Sequence, residues 1–307
     1  MKNIIIVLVA IIIIGLGAYF LIPGSFQDAD KTQYQSAPNE LTPAPADEPT
    51  TEISTTTPTS IDQTSIGKSV EGREIPVYHY GSGDTEILFV GGIHGGYSWN
   101  TVLLAYEAMD YLEANPSLIP ANVKITIIPV LNPDGLNKVV GSPARFEVVD
   151  APTELAEMVA GRFNANEVDL NRNFDCAWQA TGKWQTKTVS GGNAVFSEPE
   201  SQALKNYVET NKPSAVVVWY SAAGGVFSSS CQNGILAETK ELTNTYATAS
   251  GYTKYDEFDA YPLTGDMVNW LAKENIPAIS VLLTNHTDIE WNKNKAGIEA
   301  TLKSFAE

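Results

Sequence analysis

The sequence predicts an α/β fold in which helices flank a mixed, mostly parallel sheet. Three observations support this prediction. Branched apolar runs bounded by turn residues are typical of buried strands, and they occupy residues 87–90, 123–130, 215–220 and 278–283. Helical patterns fill the intervals between these runs. Strands that alternate with helices along a chain favour parallel neighbours in one sheet.

The elements follow in order. Residues 74–80 alternate enough to suggest an edge strand. The strand at 87–90 runs through paired glycines into a helix that begins at about Asn100. Ser197 is the predicted N-cap of a helix ending at about Thr210, with a capping-box partner three residues later. Further helices are predicted near residues 238–250, 266–274 and 295–305.

Two segments precede the predicted domain of residues 65–307. Within residues 1–23, an uncharged apolar run at 4–22 is long enough to cross a hydrocarbon core of about 30 Å. We expect a membrane anchor here, with a cleaved signal sequence as the alternative. Residues 24–64 are rich in Thr, Pro and Ser and predict a disordered linker. The domain is then expected to be extracytoplasmic, or secreted if the first segment is cleaved.

Charge and cysteine content limit the partners and the compartment. The net charge of −17 disfavours binding to phosphate backbones, so we set nucleic acid aside. The two cysteines, Cys176 and Cys231, fit an external domain with one disulfide, and two free buried thiols are the alternative.

Polar residues follow the predicted strands, and ligands bind at the carboxyl ends of strands in open parallel sheets. His94 lies in the turn after the strand at 87–90. Residues 161–174 are rich in Asn, Asp and Arg and indicate a solvated loop, unless their apolar residues pack and hold Asn171 and Arg172 rigidly. Arginine is suited to bidentate recognition of a carboxylate.

The domain resembles the zinc metallocarboxypeptidases of the carboxypeptidase A and B type. The resemblance rests on seven segments in the family's order and spacing, which read GGIHGGYSWN, NPDG, VDLNRNF, FSEPES, WYSAAGGVF, YPLTGDMVNW and AISVLLTNH. It implies a catalytic zinc with three protein ligands and an open position for water, and a glutamate as general base.

Most of the metal positions implied by the resemblance are substituted. His94 matches the first ligand. The acidic ligand falls at Tyr97 or Ser98, and Ser98 is taken as the position; the second histidine falls at Tyr220 and the general base at Leu282. A serine that is not ionised is a poor ligand, a phenol has a pKa near 10, and leucine has no proton chemistry. Zinc is therefore expected to be absent or weakly bound.

The substrate-holding positions are kept. The resemblance implies that Asn171 and Arg172 bind the free carboxylate of a peptide, that Arg145 polarises the scissile carbonyl, and that Tyr261 closes over the bound residue. Val268 falls where the family sets side-chain preference and implies an apolar terminal residue.

Two further residues near these positions leave alternatives open. Asp266 could supply the acid that a basic terminal residue requires. His286 could substitute for a zinc ligand, but it has no carboxylate partner in register, and we expect a hydrogen-bonded loop histidine.

Two functions are compatible with this pattern. The first is a membrane-tethered pseudopeptidase that binds the C-termini of peptides or cell-wall peptides without cutting them. The second is an active zinc carboxypeptidase with an unorthodox site. A purely structural ectodomain is a third reading, since a fold does not fix a function.

Overall fold

The computed structural model describes residues 62–307. The strands of this part of the chain are β1 (Asp62–Lys68), β2 (Glu74–Tyr80), β3 (Thr85–Val90), β4 (Val123–Ile128), β5 (Thr181–Trp184), β6 (Lys187–Ser190), β7 (Ala215–Ser221), β8 (Gly225–Ser228), β9 (Lys254–Tyr255) and β10 (Ala278–Leu283). Its α-helices are α1 (Trp99–Ala114), α2 (Pro133–Val140), α3 (Leu155–Met158), α4 (Pro199–Asn211), α5 (Ala237–Ser250), α6 (Met267–Lys273) and α7 (Trp291–Ser304). The segment predicted to span a membrane, residues 4–22, lies outside the described residues.

Eight strands form one mixed sheet in the order β1-β2-β4-β3-β7-β10-β8-β9. The pairs β3/β4, β3/β7, β7/β10 and β8/β9 are parallel, and β1/β2, β2/β4 and β8/β10 are antiparallel. The strands β5 and β6 form a separate antiparallel hairpin. The predicted fold class of a mixed, mostly parallel sheet with flanking helices is confirmed for this domain.

The sheet separates two apolar layers, because consecutive side chains of a strand point to opposite faces. Phe89 belongs to one layer, where its ring stacks on that of Trp219 at 5.3 Å between centroids. The neighbouring Leu88 and Val90 belong to the other layer. All four side chains are almost completely buried, as expected for strands covered on both faces.

The first strand differs from the prediction. The sequence placed an edge strand at residues 74–80, but β1 pairs along the outer side of β2 and makes β2 an inner strand. The strand β1 also begins at Asp62, inside the predicted linker. Its polar sequence DQTSIGK has no apolar run, because an edge strand with exposed side chains does not need one, and so the pattern gave no signal.

The start of α4 also differs. Its N-cap is Glu198, and no side chain makes a capping hydrogen bond there, so the predicted capping role of Ser197 is wrong. The Ser197 hydroxyl instead donates to Glu198 Oε1 at 2.8 Å and accepts the Asn193 N–H at 3.2 Å. It therefore orders the preceding loop instead of the helix terminus.

The predicted disulfide is confirmed. Cys176 and Cys231 are bonded, with their Cα atoms 6.2 Å apart. Among the described residues, no helix is both long enough and apolar enough to cross a bilayer.

Candidate functional site

The carboxyl ends of β3, β7 and β10 open into a cavity of about 490 Å³. The strands β7 and β10 pair in parallel, and their register sets Leu282 beside Tyr220 at this edge of the sheet. The turn after β3 brings His94 to the same edge. The side chains that line the cavity include His94, Tyr97, Arg162, Asn171, Arg172, Trp184, Tyr220, Tyr261, Asp266, Leu282 and His286. Six of the eight residues assigned from the sequence are therefore brought together, and Ser98 and Arg145 are not among the lining residues.

Four of the lining residues form what we call the strand-end wall: His94, Tyr97, Tyr220 and Leu282. His94 is buried, and its Nε2 atom lies 3.5 Å from Asp169 Oδ1. Neither ring nitrogen has a hydrogen-bond partner of normal geometry. Burial and the positive Arg162 lower the pKa of His94 to about 4, although Asp169 opposes the shift. The ring is therefore neutral at physiological pH.

Tyr97 and Ser98 were the alternatives for the acidic ligand position, and only Tyr97 reaches the cavity. The Ser98 side chain is buried away from it, and its hydroxyl has no hydrogen-bond partner. The two residues are neighbours in one tight turn of helix, where consecutive side chains point in different directions. The geometry thus favours the position three residues after His94 over the sequence-based choice of Ser98.

The other two residues of this wall carry no ionised group. The Tyr220 hydroxyl donates a long hydrogen bond of 3.4 Å to Asn171 Oδ1. Burial raises the pKa of Tyr220 well above its usual value, so the phenol keeps its proton. Leu282 lies directly beside it in the register of the sheet and offers only a hydrocarbon surface.

These donors do not fit the zinc site that the resemblance implies. A catalytic zinc is held by about three His, Cys, Asp or Glu side chains, and His94 is the only one of these on the strand-end wall. Two other candidates line the same cavity, but His286 Nδ1 bonds to the Tyr97 carbonyl at 3.0 Å, and Asp266 is engaged elsewhere. Across residues 62–307, no group of three or more such side chains is arranged to hold a metal ion.

A second part of the cavity lining, which we call the loop wall, consists of Arg162, Asn171 and Arg172. Its centre is the buried carboxylate of Asp169, which accepts from Arg162 Nε at 3.0 Å and Nη2 at 2.8 Å. It also accepts the Asn171 N–H at 3.1 Å. Burial works against ionisation, but the guanidinium of Arg162 holds the pKa of Asp169 well below its usual range. Asp169 therefore contacts both walls: it binds Arg162 and Asn171 of the loop wall and lies beside His94 of the strand-end wall.

Asn171 and Arg172 are held rigidly, as the sequence suggested for a packed loop. The Asn171 side chain donates to Asp266 Oδ2 at 2.7 Å and accepts the Met267 N–H at 3.0 Å. Arg172 donates from Nε and Nη2 to the Lys183 carbonyl, at 3.1 and 2.8 Å, and from Nη1 to the Asn171 carbonyl. Three of its five N–H groups are thus used inside the protein, which leaves the other two for a ligand.

Asp266 adds an acid next to the loop wall. Its second oxygen accepts the Asn269 N–H at 3.1 Å and caps α6. Burial raises the pKa of Asp266 despite the nearby Arg172. Val268, assigned to side-chain preference, lines a smaller neighbouring cavity of about 200 Å³. The two cavities share Phe258, Leu263 and Ser280.

The arginine assigned from the sequence does not line the main cavity, and another arginine does. Arg145 is half exposed, pairs with Asp110 through two bonds of 2.7 Å, and lines a separate cavity. The additional guanidinium of the main cavity belongs to Arg162, whose Cζ lies 5.3 Å from the Tyr97 ring centroid and 4.5 Å from that of Trp184. Sequence reasoning missed it, and the available signal was its place in the polar segment 161–174, seven residues before Asp169.

Tyr261 lines the cavity, and its ring centroid is 5.8 Å from the Arg172 guanidinium carbon. His286 is a hydrogen-bonded loop histidine, as expected. Its loop is tied down by the buried Asn100, which donates to the Asn285 and Asp288 carbonyls, both at 2.9 Å. The Asn100 oxygen accepts from the Ser221 hydroxyl at 2.7 Å, and so it also holds the end of β7.

Fold and cavity together define a metallocarboxypeptidase-like domain. A model of the zinc carboxypeptidase family matches residues 49–301. The chain belongs to this family.

Curated relatives are moderately similar. Gamma-D-glutamyl-L-diamino acid endopeptidase 1 of Lysinibacillus sphaericus is 24% identical over 217 residues, which cover 64% of this chain and 54% of the relative. The catalytic chain of human carboxypeptidase N is 28% identical over 185 residues, covering 55% of this chain and 37% of the relative. The match thus covers about half the length of the first relative and less of the second.

Solved structures share the fold. Murein-tripeptide amidase from Escherichia coli O157 has a TM-score of 0.57 at 20% identity, over 78% of this chain and 90% of the amidase. Carboxypeptidase A from Helicoverpa armigera has a TM-score of 0.65 at 18% identity, over 80% of this chain and 69% of that chain.

Proposed function

We propose that this protein is a membrane-tethered, extracytoplasmic pseudopeptidase that binds the free C-terminus of a peptide without hydrolysing it. One observation carries the proposal. Tyr220 and Leu282 lie side by side on the cavity wall, at the positions that the resemblance assigns to a zinc ligand and the general base, and Asn171 and Arg172 line the same cavity. The pocket can therefore hold a substrate, but it lacks the groups that would activate water.

The loop wall supports carboxylate binding. Arg172 has free N–H groups in the cavity, and Asn171 has one N–H left after its bond to Asp266. Arg162 contributes a second guanidinium, although Asp169 neutralises its charge. A carboxylate bonded to a fixed guanidinium gains charge-assisted hydrogen bonds without the cost of ordering the side chain.

Cell-wall peptides are the proposed ligand class. Two of the similar proteins are named for action on γ-D-glutamyl-L-diamino acid linkages and on a murein tripeptide. The predicted anchor at residues 4–22 would keep such a domain at the external face of the membrane, next to a cell wall.

An active zinc carboxypeptidase is the second candidate. The observation in its favour is the pairing of His94 Nε2 with a carboxylate at 3.5 Å, since histidines that bind metal usually direct their second nitrogen at such a partner. Its site would need ligands other than the family's own.

The test compares a short peptide that has a free C-terminus with the same peptide as its C-terminal amide, using calorimetric titration of the domain. We expect the acid to bind more tightly by about 1.5 to 3 kcal/mol, the contribution of a hydrogen bond to a charged group. Arg172→Ala should lose this preference, and Arg172→Lys should keep only part of it, because lysine lacks the planar fork.

Zinc content and peptidase activity of the same preparation distinguish the pseudopeptidase from the active carboxypeptidase. After dialysis the preparation should contain far less than one zinc per chain and should release no C-terminal residue when zinc is added back. Equal affinity for acid and amide would refute the binding proposal. Stoichiometric zinc together with release of C-terminal residues would establish the second candidate instead.

A further inference from the structure

Arg172 is oriented by a main-chain carbonyl of the β5–β6 hairpin. The Lys183 oxygen accepts from Nε at 3.1 Å and from Nη2 at 2.8 Å, and these two N–H groups lie on one edge of the planar guanidinium. Two bonds to a single acceptor fix the orientation of that plane. Because Nη1 also donates to the Asn171 carbonyl, backbone atoms set the direction of the two unused N–H groups.

The hairpin that carries this carbonyl is fixed to the rest of the domain. Trp184, the next residue of β5, is buried, and its ring lies 5.1 Å from the Tyr97 ring and 6.2 Å from the Phe163 ring between centroids. On the other strand, the Ser190 carbonyl accepts the Asp169 N–H at 3.0 Å. Packing on β5 and a hydrogen bond on β6 therefore hold the carbonyl in place.

Gly182 leaves the space that this arrangement needs. It is buried and points to the same side of β5 as Trp184. A Cβ atom at this position would lie 2.8 Å from Arg172 Cδ and 2.9 Å from Thr264 Oγ1. Carbon atoms that are not bonded normally stay about 3.5 to 4.0 Å apart, so a side chain at residue 182 would displace the arginine or the strand. The φ angle of Gly182 is not positive, so the glycine is needed for space and not for its conformation.

We propose that Gly182 and the main chain of Lys183 are positioning residues, which direct the two free N–H groups of Arg172 toward the terminal carboxylate of the ligand. This inference rests on the proposed function. Groups that bind a ligand must be held within about 0.5 Å of their productive geometry, and the hairpin supplies this constraint. The Lys183 side chain is exposed and donates to Thr188 Oγ1 at 3.0 Å, so only its carbonyl takes part.

The experiment measures the affinity of the protein for a short peptide acid and for its C-terminal amide. The wild type should prefer the acid by about tenfold or more. Gly182→Ala should lose about tenfold in affinity for the acid and keep its affinity for the amide, because only the acid uses the displaced N–H groups. Thr181→Ala is the matched control, since it changes an exposed side chain of the same strand, and it should keep the wild-type ratio.

Two outcomes would overturn the inference: an unchanged preference in Gly182→Ala, or an equal loss of affinity for acid and amide, which a purely structural role of the glycine predicts. If the variant does not fold, nitrogen NMR of the arginine-labelled wild type gives a second measurement. The Nε proton of Arg172 should exchange slowly with water before any ligand is added, because it is already bonded to Lys183. Rapid exchange would refute the inference. No preference of the wild type for the acid would instead refute the proposed function.

Discussion

The strand-end wall and the loop wall enclose the same cavity but are built in opposite ways. On the loop wall, Asn171 and Arg172 are each fixed by several hydrogen bonds, and Arg162 is fixed by Asp169. The strand-end wall has neutral phenols, a leucine and an imidazole without a bonded partner. The comparison shows that the two parts of the lining differ in how their side chains are fixed: the polar groups of the loop wall are held by hydrogen bonds, whereas the strand-end wall is held mainly by packing.

Removing the charge that joins the two walls should have the largest effect. Asp169→Asn leaves Arg162 buried without its partner, and breaking a buried ion pair costs about 3 to 5 kcal/mol. Chemical denaturation of the domain should show this loss in the free energy of unfolding. Asp175→Asn is the matched control, because Asp175 pairs with Lys273 at the surface and should change stability by only about 0 to 1 kcal/mol. A similar loss in both variants would contradict the central role of Asp169.

Rebuilding the strand-end wall should restore metal binding. The triple variant Tyr97→Glu, Tyr220→His, Leu282→Glu combines His94 with two further ligands and a base. Zinc in hundredfold excess over its dissociation constant should then stabilise the domain by about 2.7 kcal/mol, seen as a higher melting temperature.

A second triple variant with Ser98→Glu in place of Tyr97→Glu is the control. It should gain no zinc-dependent stability, because Ser98 does not reach the cavity. If only this second variant bound zinc, the assignment of Tyr97 would be wrong.

The two buried carboxylates near the loop wall should respond to pH with opposite signs. The raised pKa of Asp266 means that its contribution to stability is fully present below the unfolded value of about 3.9 and is lost as pH rises through the folded value. The lowered pKa of Asp169 means that its contribution is present above that unfolded value and is lost as pH falls.

Denaturation across pH can measure the Asp266 effect. The stability difference between wild type and Asp266→Asn should decrease as pH rises above about 4, by about 1.4 kcal/mol per pH unit, until the carboxyl group of the folded protein ionises. A difference that increases with pH would show that the carboxylate is stabilised when ionised.

The smallest effect is expected at the arginine outside the cavity. Arg145→Gln should change stability by about 0 to 1 kcal/mol, because its pair with Asp110 is exposed, and it should not change peptide affinity. Arg162→Gln should lower both the stability of the domain and its affinity for the peptide. Calorimetric titration of the two variants with the same peptide acid decides which arginine belongs to the site.

The sequence predicted the features that depend on apolar pattern and on recognisable segments. The four buried runs became β3, β4, β7 and β10, and the disulfide was correct. His94, Asn171 and Arg172 lie in the cavity because each follows a segment whose packing its own sequence specifies.

The missed features depend on the direction of side chains. Tyr97 and Ser98 are adjacent and differ only in where a turn of helix points them. Arg145 and Arg162 both follow the second buried strand, and only the path of the intervening loop decides which one returns to the sheet. The strand β1 is polar and forms because it pairs with β2, so no apolar pattern within residues 62–68 predicts it.

The amide of Asn100 has a consequence for motion at the cavity entrance. This one side chain joins the start of α1, the loop that carries His286 and the end of β7. The loop cannot swing outward unless both hydrogen bonds from Asn100 Nδ2 break and leave a buried NH₂ group without partners. That loop should therefore exchange its amide protons slowly, and we expect a peptide to enter past the β5–β6 hairpin, whose tip residues Gln185 and Thr186 also line the cavity.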